Sequence, residues 1–262
     1  MAGIFSLFKR DRVETKEATI PFKGFDLCYS EGTSIVERYK SLGHYEQDFV
    51  DVLVRYLGDN SAVSFVDIGA NIGMISLSLL EKLKDLKIYA FEPGPHQADL
   101  FERTIQMNNL SKKIELSRIA LKDQKGFDFF HVHKTMDVSG DGFIDTERAG
   151  KTRKIKVETD TFDNWWKSRN KPDIKYVKMD TEGSEYWILK GAQEFITQCK
   201  PILFIEINDK NIRNYPFKID DLINYIESFG YEIKTLEEEA VDKENIVDKI
   251  KLNDTFIVCP KS

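Results

Sequence analysis

Short β-rich runs alternate with helical stripes along most of this chain. That alternation demands a parallel sheet covered by helices on both faces, because each parallel strand needs a crossover to return beside its neighbour. Strands read at 63–68, 87–92, 114–121, 174–179, 202–207, 231–235 and 254–258, with helices at 72–86, 96–108, 161–167, 185–197 and 219–229. The expected architecture is one doubly wound α/β domain with seven core strands. The alternation pauses between Lys122 and Thr159, where runs at 127–132 and 154–158 flank the loop Ser139-Gly140-Asp141-Gly142. This predicts a β insertion after the third strand, at about 122–159. Val36, Tyr39, Phe49, Leu53 and Tyr56 form a helical stripe over 33–57, interrupted near Gly43. Residues 1–32 read as irregular or weakly stranded, and the polar run 237–248 as a solvated loop or short helix. The expected division is a tail and helical cap over 1–58 and the α/β domain over 59–262.

Composition removes several alternatives. With 262 residues the chain can bury a large core without covalent staples. A formal net charge of -6 argues against a general affinity for nucleic acid, which requires clustered cations. Cys28, Cys199 and Cys259 are widely spaced and odd in number, so they form neither a disulfide framework nor a thiolate zinc site. No run of eighteen apolar residues predicts a transmembrane helix. Ile4, Phe5, Leu7 and Phe8 precede Lys9, Arg10 and Arg12, the reverse of a secretory signal's order, so a cytoplasmic location is expected. That segment reads as a loosely docked tail, or as a weak peripheral contact with a membrane surface.

In an open α/β sheet, ligands bind outside the carboxyl ends of the strands. Strand one ends Asp67-Ile68-Gly69-Ala70-Asn71-Ile72-Gly73, a turn that admits close approach of a ligand. It matches neither the dinucleotide glycine pattern nor a P-loop. Strand two ends at Glu92, where a carboxylate can accept from both hydroxyls of a ribose. Strand four ends Asp180-Thr181-Glu182 and strand five at Glu206. Several carboxylates thus crowd one mouth, which favours a cationic ligand over an anionic dinucleotide. S-adenosylmethionine satisfies that charge, and so does a divalent metal.

Three segments resemble the FkbM family of class I S-adenosylmethionine-dependent methyltransferases: 65–73, 90–93 and the long run 177–192. Weaker similarity lies in Ala120-Leu121-Lys122-Asp123, Thr161-Phe162-Asp163 and 201–206. The resemblance covers roughly Tyr45 to Tyr231. It implies the seven-stranded Rossmann-like sheet with its last strand antiparallel, and methyl transfer to a hydroxyl of a sugar or glycan-like acceptor. By position it implies that Asp67, Gly69, Asn71 and Gly73 line the methionine part of the cofactor and that Glu92 holds the ribose. Arg118 and Ala120 would flank adenine, and Tyr45 and Glu46 would cover the cofactor.

A hydroxyl acceptor must lose its proton as the methyl arrives. Asp180, Glu182, Glu206, His131 and His133 are the candidate bases, Asp180 alternatively holding the cofactor or a metal. A metal-assisted hydroxyl and transfer by proximity alone are the other routes. His131 and His133 share a strand face that would suit a metal, though such pairs are more often ordinary surface residues. Trp165 and Trp166 read as packing more than as a sugar platform. A dehydrogenase, another enzyme with an adenosine-containing ligand, is disfavoured by Asn71 and by the acidic mouth, and two further readings stay open. One is a non-catalytic cofactor-binding or scaffold protein on the same fold. The other is a methyltransferase for a lipid or small natural product. The sequence identifies neither the acceptor nor the oligomeric state.

Overall fold

The computed structural model describes residues 16–58, 64–133, 140–145 and 152–261. The apolar stretch Ile4 to Phe8, read above as a tail or membrane contact, lies outside the described residues.

The chain opens with strands β1 (Glu17–Phe22) and β2 (Phe25–Ser30), an antiparallel hairpin where weak strand was expected. Lys23 and Gly24 turn it, both at positive φ (51° and 81°), the backbone hand a two-residue hairpin needs. Helices α1 (Ser34–Leu42) and α2 (Gln47–Leu57) follow, and Gly43 ends the first at φ 74°. The next elements are β3 (Ser64–Ile68), α3 (Met74–Lys82), β4 (Lys87–Phe91), α4 (Pro95–Met107) and β5 (Ile114–Ser117). Then come β6 (Ala120–Leu121), β7 (Gly126–His133), β8 (Thr152–Asp160), α5 (Phe162–Ser168) and β9 (Ile174–Met179). The chain continues through α6 (Glu185–Lys190), α7 (Gln193–Cys199), β10 (Ile202–Glu206), α8 (Asp209–Ile212) and α9 (Ile219–Ser228). It ends with β11 (Tyr231–Lys234), β12 (Ala240–Val241), α10 (Ile246–Lys249) and β13 (Thr255–Pro260).

The main sheet runs β12-β11-β13-β10-β9-β3-β4-β5. β3, β4, β5, β9 and β10 are mutually parallel, and the last strand, β13, is antiparallel to both of its neighbours. The two-residue β12 adds an eighth strand at the edge, within the polar run read as a loop. The order reverses beside β3: the chain builds outward through β4 and β5, then crosses back to lay β9 against the other side of β3. This switch point opens a crevice at the carboxyl ends of β3 and β9.

Strand alternation sorts the core into two layers. Val66 and Ile68 face a cluster with α5, α6, α7, α9 and the insertion, whereas Phe65 faces one containing the hairpin and α1–α4. The N-terminal segment is therefore joined to the same core as the sheet. Trp165 and Trp166 belong to the first cluster; Trp165 packs edge-on against Phe91 and Tyr89, and Trp166 against Phe195. Burial of both indoles favours packing over a sugar platform.

Two expected elements divide. The third strand stops at Ser117; Ala120 and Leu121 instead pair in parallel with β8 in a three-stranded sheet, β6-β8-β7. The helix expected over 185–197 breaks at Gly191. A Cβ there would lie 2.1 Å from the Lys122 carbonyl oxygen, so the chain must pass close and turn. Asp163 then caps α7, its carboxylate accepting the backbone N–H groups of Glu194 and Phe195 at 2.9 Å each.

Candidate active site

A cavity of about 370 Å³ opens over the switch point. The ends of β3, β4, β9 and β10 supply its floor, α1 and the α1–α2 link one wall, and the insertion another. Ile68, Ile72, Ile75, Phe91, Ile119 and Leu121 give it apolar surface, while carboxylates line the remainder.

The loop after β3 is built backward from its neighbours. The N–H groups of Gly69 and Ala70 both donate to the Phe91 carbonyl at 3.0 Å. Asn71, in the left-handed region at φ 51°, directs its N–H to Glu92 Oε2 at 2.8 Å. Gly94 N–H donates to the other carboxylate oxygen at 2.7 Å. Glu92 is buried and lines the cavity with each oxygen holding one backbone donor. A carboxylate offers about four lone-pair sites, so acceptor capacity remains for hydroxyls. Loss of solvent pushes Glu92 up to about 7, against the pull of the two N–H donors.

The glycines divide in purpose. Gly69, at φ 76°, lines the cavity, but a Cβ there would lie 1.8 Å from the Asp180 carbonyl oxygen. Its bareness lets the β3 and β9 loops cross. Gly73, read from sequence as a ligand contact, does not line the cavity. Its missing Cβ would stand 2.1 Å from the Phe101 ring, so this glycine serves the packing of α3 on α4.

Asp67 is also displaced from the expected role. It is fully buried beneath the cavity, accepting from Ser76 Oγ at 2.7 Å and lying 3.2 Å from Lys178 Nζ. Lys178 donates to the Gly69 carbonyl at 2.8 Å and lies 3.6 Å from Asp180. Burial alone would lower the lysine pKa, but Asp67, Asp180 and Glu46 together raise it above its ordinary value. The crowding of like charge inferred from sequence is thus partly relieved from within by Lys178. Its signal was present: it precedes Asp180 by two residues on a strand, hence on the same face.

Tyr45 and Glu46 lie in the cavity wall, as do Asp180, Glu182 and Glu206. Glu46, Asn71 and Glu182 have φ of 44°, 51° and 57°, so three cavity residues hold a conformation uncommon outside glycine. Around Glu182, the buried Glu185 accepts the Thr181 N–H and hydroxyl at 2.8 Å each. Loss of solvent pushes Glu185 up to about 7. Gly183 permits Tyr215 and Asn211 to pack close, and the Tyr215 hydroxyl donates to the Glu182 carbonyl at 3.3 Å. Glu206 accepts from Asn211 Nδ2 at 3.0 Å.

Other expected residues stand elsewhere. Arg118 does not line the cavity; it turns outward to Asp99, at 2.6 Å, and Glu102 on α4. Ile119 occupies the wall beside Ala120 in its place. His131 and His133 also lie outside the lining. His133 Nδ1 is 2.9 Å from Asp141 Oδ1, and His131 Nδ1 is 3.3 Å from Thr152 Oγ1. Among the described residues no group of three His, Cys, Asp or Glu side chains is arranged to hold a metal. Arg38, Gln97 and Asp141 line the cavity but were not singled out from sequence. Asp141 had no local signal, because its neighbour Gln97 is 44 residues away and donates to it at 2.6 Å.

A strand order reversing beside β3, a glycine turn after that strand and an acid ending the next are common to Rossmann-like folds; the antiparallel β13 inserted between β10 and β11 matches the class I methyltransferase sheet. Residues 67–233 match the family described as the methyltransferase FkbM domain. The methyltransferase sdnD of Sordaria araneosa is 28% identical over 178 aligned residues, covering 57% of this chain and 68% of that protein. The crystal structure of the methyltransferase FkbM from Methylobacillus flagellatus KT superposes with a TM-score of 0.50 at 20% identity, covering 76% of this chain. This chain spans only 44% of that protein's length. M. jannaschii TYW2, solved in complex with AdoMet, gives a TM-score of 0.44 at 14% identity, over 94% of this chain and 84% of that one. The chain belongs to the FkbM family of S-adenosylmethionine-dependent methyltransferases. No described helix is long and apolar enough to cross a membrane.

Proposed function

We propose that the protein transfers a methyl group from S-adenosylmethionine to a hydroxyl of a sugar or glycan-like acceptor. One observation supports the reading above others. Glu92, suited to a ribose, and the pair Glu182 and Glu206, suited to a proton, line one continuous cavity. A cofactor end and an acceptor end therefore share a single space.

The donor set fits the cofactor chemically. Glu92 receives the ribose hydroxyls, Gly69 and Asn71 flank the methionine chain, and Ile119 and Ala120 form the apolar side for adenine. Tyr45 and Glu46 cover it from the cap. Asp67 works from beneath, by holding Lys178, rather than by touching the ligand. The cofactor supplies a methyl group activated by positive sulfur. This chain's residues align the acceptor oxygen with that methyl and receive its proton. Glu182 or Glu206 takes the proton, and Asp180, beside Lys178, orients the junction between the two ends. In this reading α1 and the α1–α2 link close the site over the sheet.

The test is transfer of labelled methyl from S-adenosylmethionine into fractionated cell extract, followed by identification of the product. Label on a carbohydrate oxygen supports the reading. Label on a lipid or a small non-carbohydrate product moves the acceptor class, and tight cofactor binding without transfer to any fraction supports a binding protein.

A further inference from the structure

Ser34, Ile35 and Arg38 bring one face of α1 into the cavity wall, Arg38 one helical turn beyond Ser34. Among the described residues the cavity is lined by six carboxylates, Glu46, Glu92, Asp141, Asp180, Glu182 and Glu206, and by two cations, Arg38 and Lys178. Lys178 is already committed to Asp67 and the Gly69 carbonyl. Lys40, the next cation on α1, is paired with Glu37 at 2.7 Å. Arg38 makes no hydrogen bond or ion pair with any described residue, so five N–H donors stand at the cavity uncommitted.

Glu46 lines the same cavity, at the start of α2. Loss of solvent raises both Tyr45 and Glu46, and Asp180 adds to the rise; at Glu46 it is opposed by Lys178, by a hydrogen bond from Tyr45 and, least, by the Arg38 charge. Glu46 therefore feels the charges of Asp180, Lys178 and Arg38, and it forms no ion pair with Arg38. Its φ of 44° at the start of α2 fixes the side chain's point of departure. A cation and a carboxylate that line one cavity from α1 and the start of α2, without pairing with each other, suit the two charged ends of a zwitterion.

We propose that Arg38 and Glu46 receive the amino-acid end of S-adenosylmethionine, the guanidinium taking the α-carboxylate and the Glu46 carboxylate the α-ammonium. The assignment rests on the cofactor reading above. It makes the N-terminal cap a reader of the ligand's amino acid rather than a cover alone.

Calorimetric titration with three ligands tests it: S-adenosylmethionine, its decarboxylated analogue and 5′-methylthioadenosine, which lacks the amino-acid chain. Arg38→Met should weaken S-adenosylmethionine about 10- to 100-fold, the range for a charge-assisted hydrogen bond, and leave the decarboxylated analogue unchanged. Arg38→Lys should retain part of the discrimination. Glu46→Gln should weaken both amino-bearing ligands and spare 5′-methylthioadenosine. Arg38 is solvent-exposed on α1, so its variants should fold, which thermal unfolding checks. Equal losses for the carboxylated and decarboxylated ligands in Arg38→Met, or no loss for either, would overturn the Arg38 assignment and leave the cofactor reading standing. Wild-type protein that binds none of the three would overturn both.

Discussion

Lys178 and Asp67 are register partners on the parallel strands β9 and β3, and their charged ends meet 3.2 Å apart at the cavity floor. Both side chains are almost wholly shielded from water, at 5% and 0% exposure. An ion pair this deep gains little net stability over an apolar pair, but breaking it strands a charge. Lys178→Met should therefore cost about 3–5 kcal/mol in urea unfolding, and adding Asp67→Asn to that variant should recover much of the loss. Equal midpoints for wild type and Lys178→Met would mean that the pair does not hold β9 to β3. Because Lys178 also binds the Gly69 carbonyl, the single variant should loosen the glycine loop as well.

Glu92 couples the site to pH with two opposite signs. Its folded pKa is raised from 4.5 to about 7, so the folded state holds the proton more tightly than the unfolded chain does. The associated stability is present below about 4.5 and is lost as pH rises to about 7, by on the order of 3 kcal/mol without ligand. Cofactor affinity should run the other way, because hydroxyl donors and a cationic ligand both prefer the ionised carboxylate. Between pH 6 and pH 8 the ratio of wild-type to Glu92→Gln affinity should rise about tenfold, a ratio that cancels the ligand's own titration. A flat ratio would remove Glu92 from ribose binding.

The strand–helix order was legible because periodicity and glycine punctuation are local signals. So was the place of Glu92 at the cavity, since an acid ending the second strand has a fixed position in such a sheet. What the sequence hid depends on contacts distant along the chain. Gly69 and Gly73 look alike in the turn, yet one faces the Asp180 backbone and the other the Phe101 ring. Arg118 follows a strand in the expected position, but two acids on α4 draw it outward. Counting carboxylates at the mouth without Lys178 overstated the like-charge crowding. The histidines of the insertion share a strand face, as alternation requires, but that face carries them to Asp141 and Asp145 rather than into the cavity.

The division between the two glycines gives a direct test. In Gly73→Ala the new methyl must displace Phe101 and hold a left-handed backbone, so stability should fall by about 1–3 kcal/mol. Cofactor affinity of the folded fraction should change little. Shrinking the ring in Phe101→Leu should make the added methyl less costly than it is in the wild-type background, a coupling that a double-mutant cycle in urea measures. Additive effects would show that Gly73 and Phe101 are not in conflict.

Catalysis and cofactor binding should separate at the mouth. Glu182 and Glu206 line the cavity beyond the Glu92 end, on the loop after β9 and at the end of β10. Each is anchored: the Glu182 backbone by Tyr215, and the Glu206 carboxylate by Asn211. In the proposed function one of these carboxylates receives the proton of the acceptor hydroxyl. Replacing the base by glutamine preserves shape and removes basicity. Glu182→Gln or Glu206→Gln, whichever carries the base, should slow methyl transfer by about 10²–10⁴. S-adenosylmethionine affinity should stay near the wild-type value in both, because neither is assigned to the cofactor. Wild-type turnover measured with EDTA and with added Mg²⁺ separates a direct base from a metal ligand, since only the latter makes the rate chelator-sensitive. If both glutamine variants transfer methyl at the wild-type rate, neither carboxylate is the base. Asp180, lining the same cavity 3.6 Å from Lys178, then becomes the carboxylate to replace.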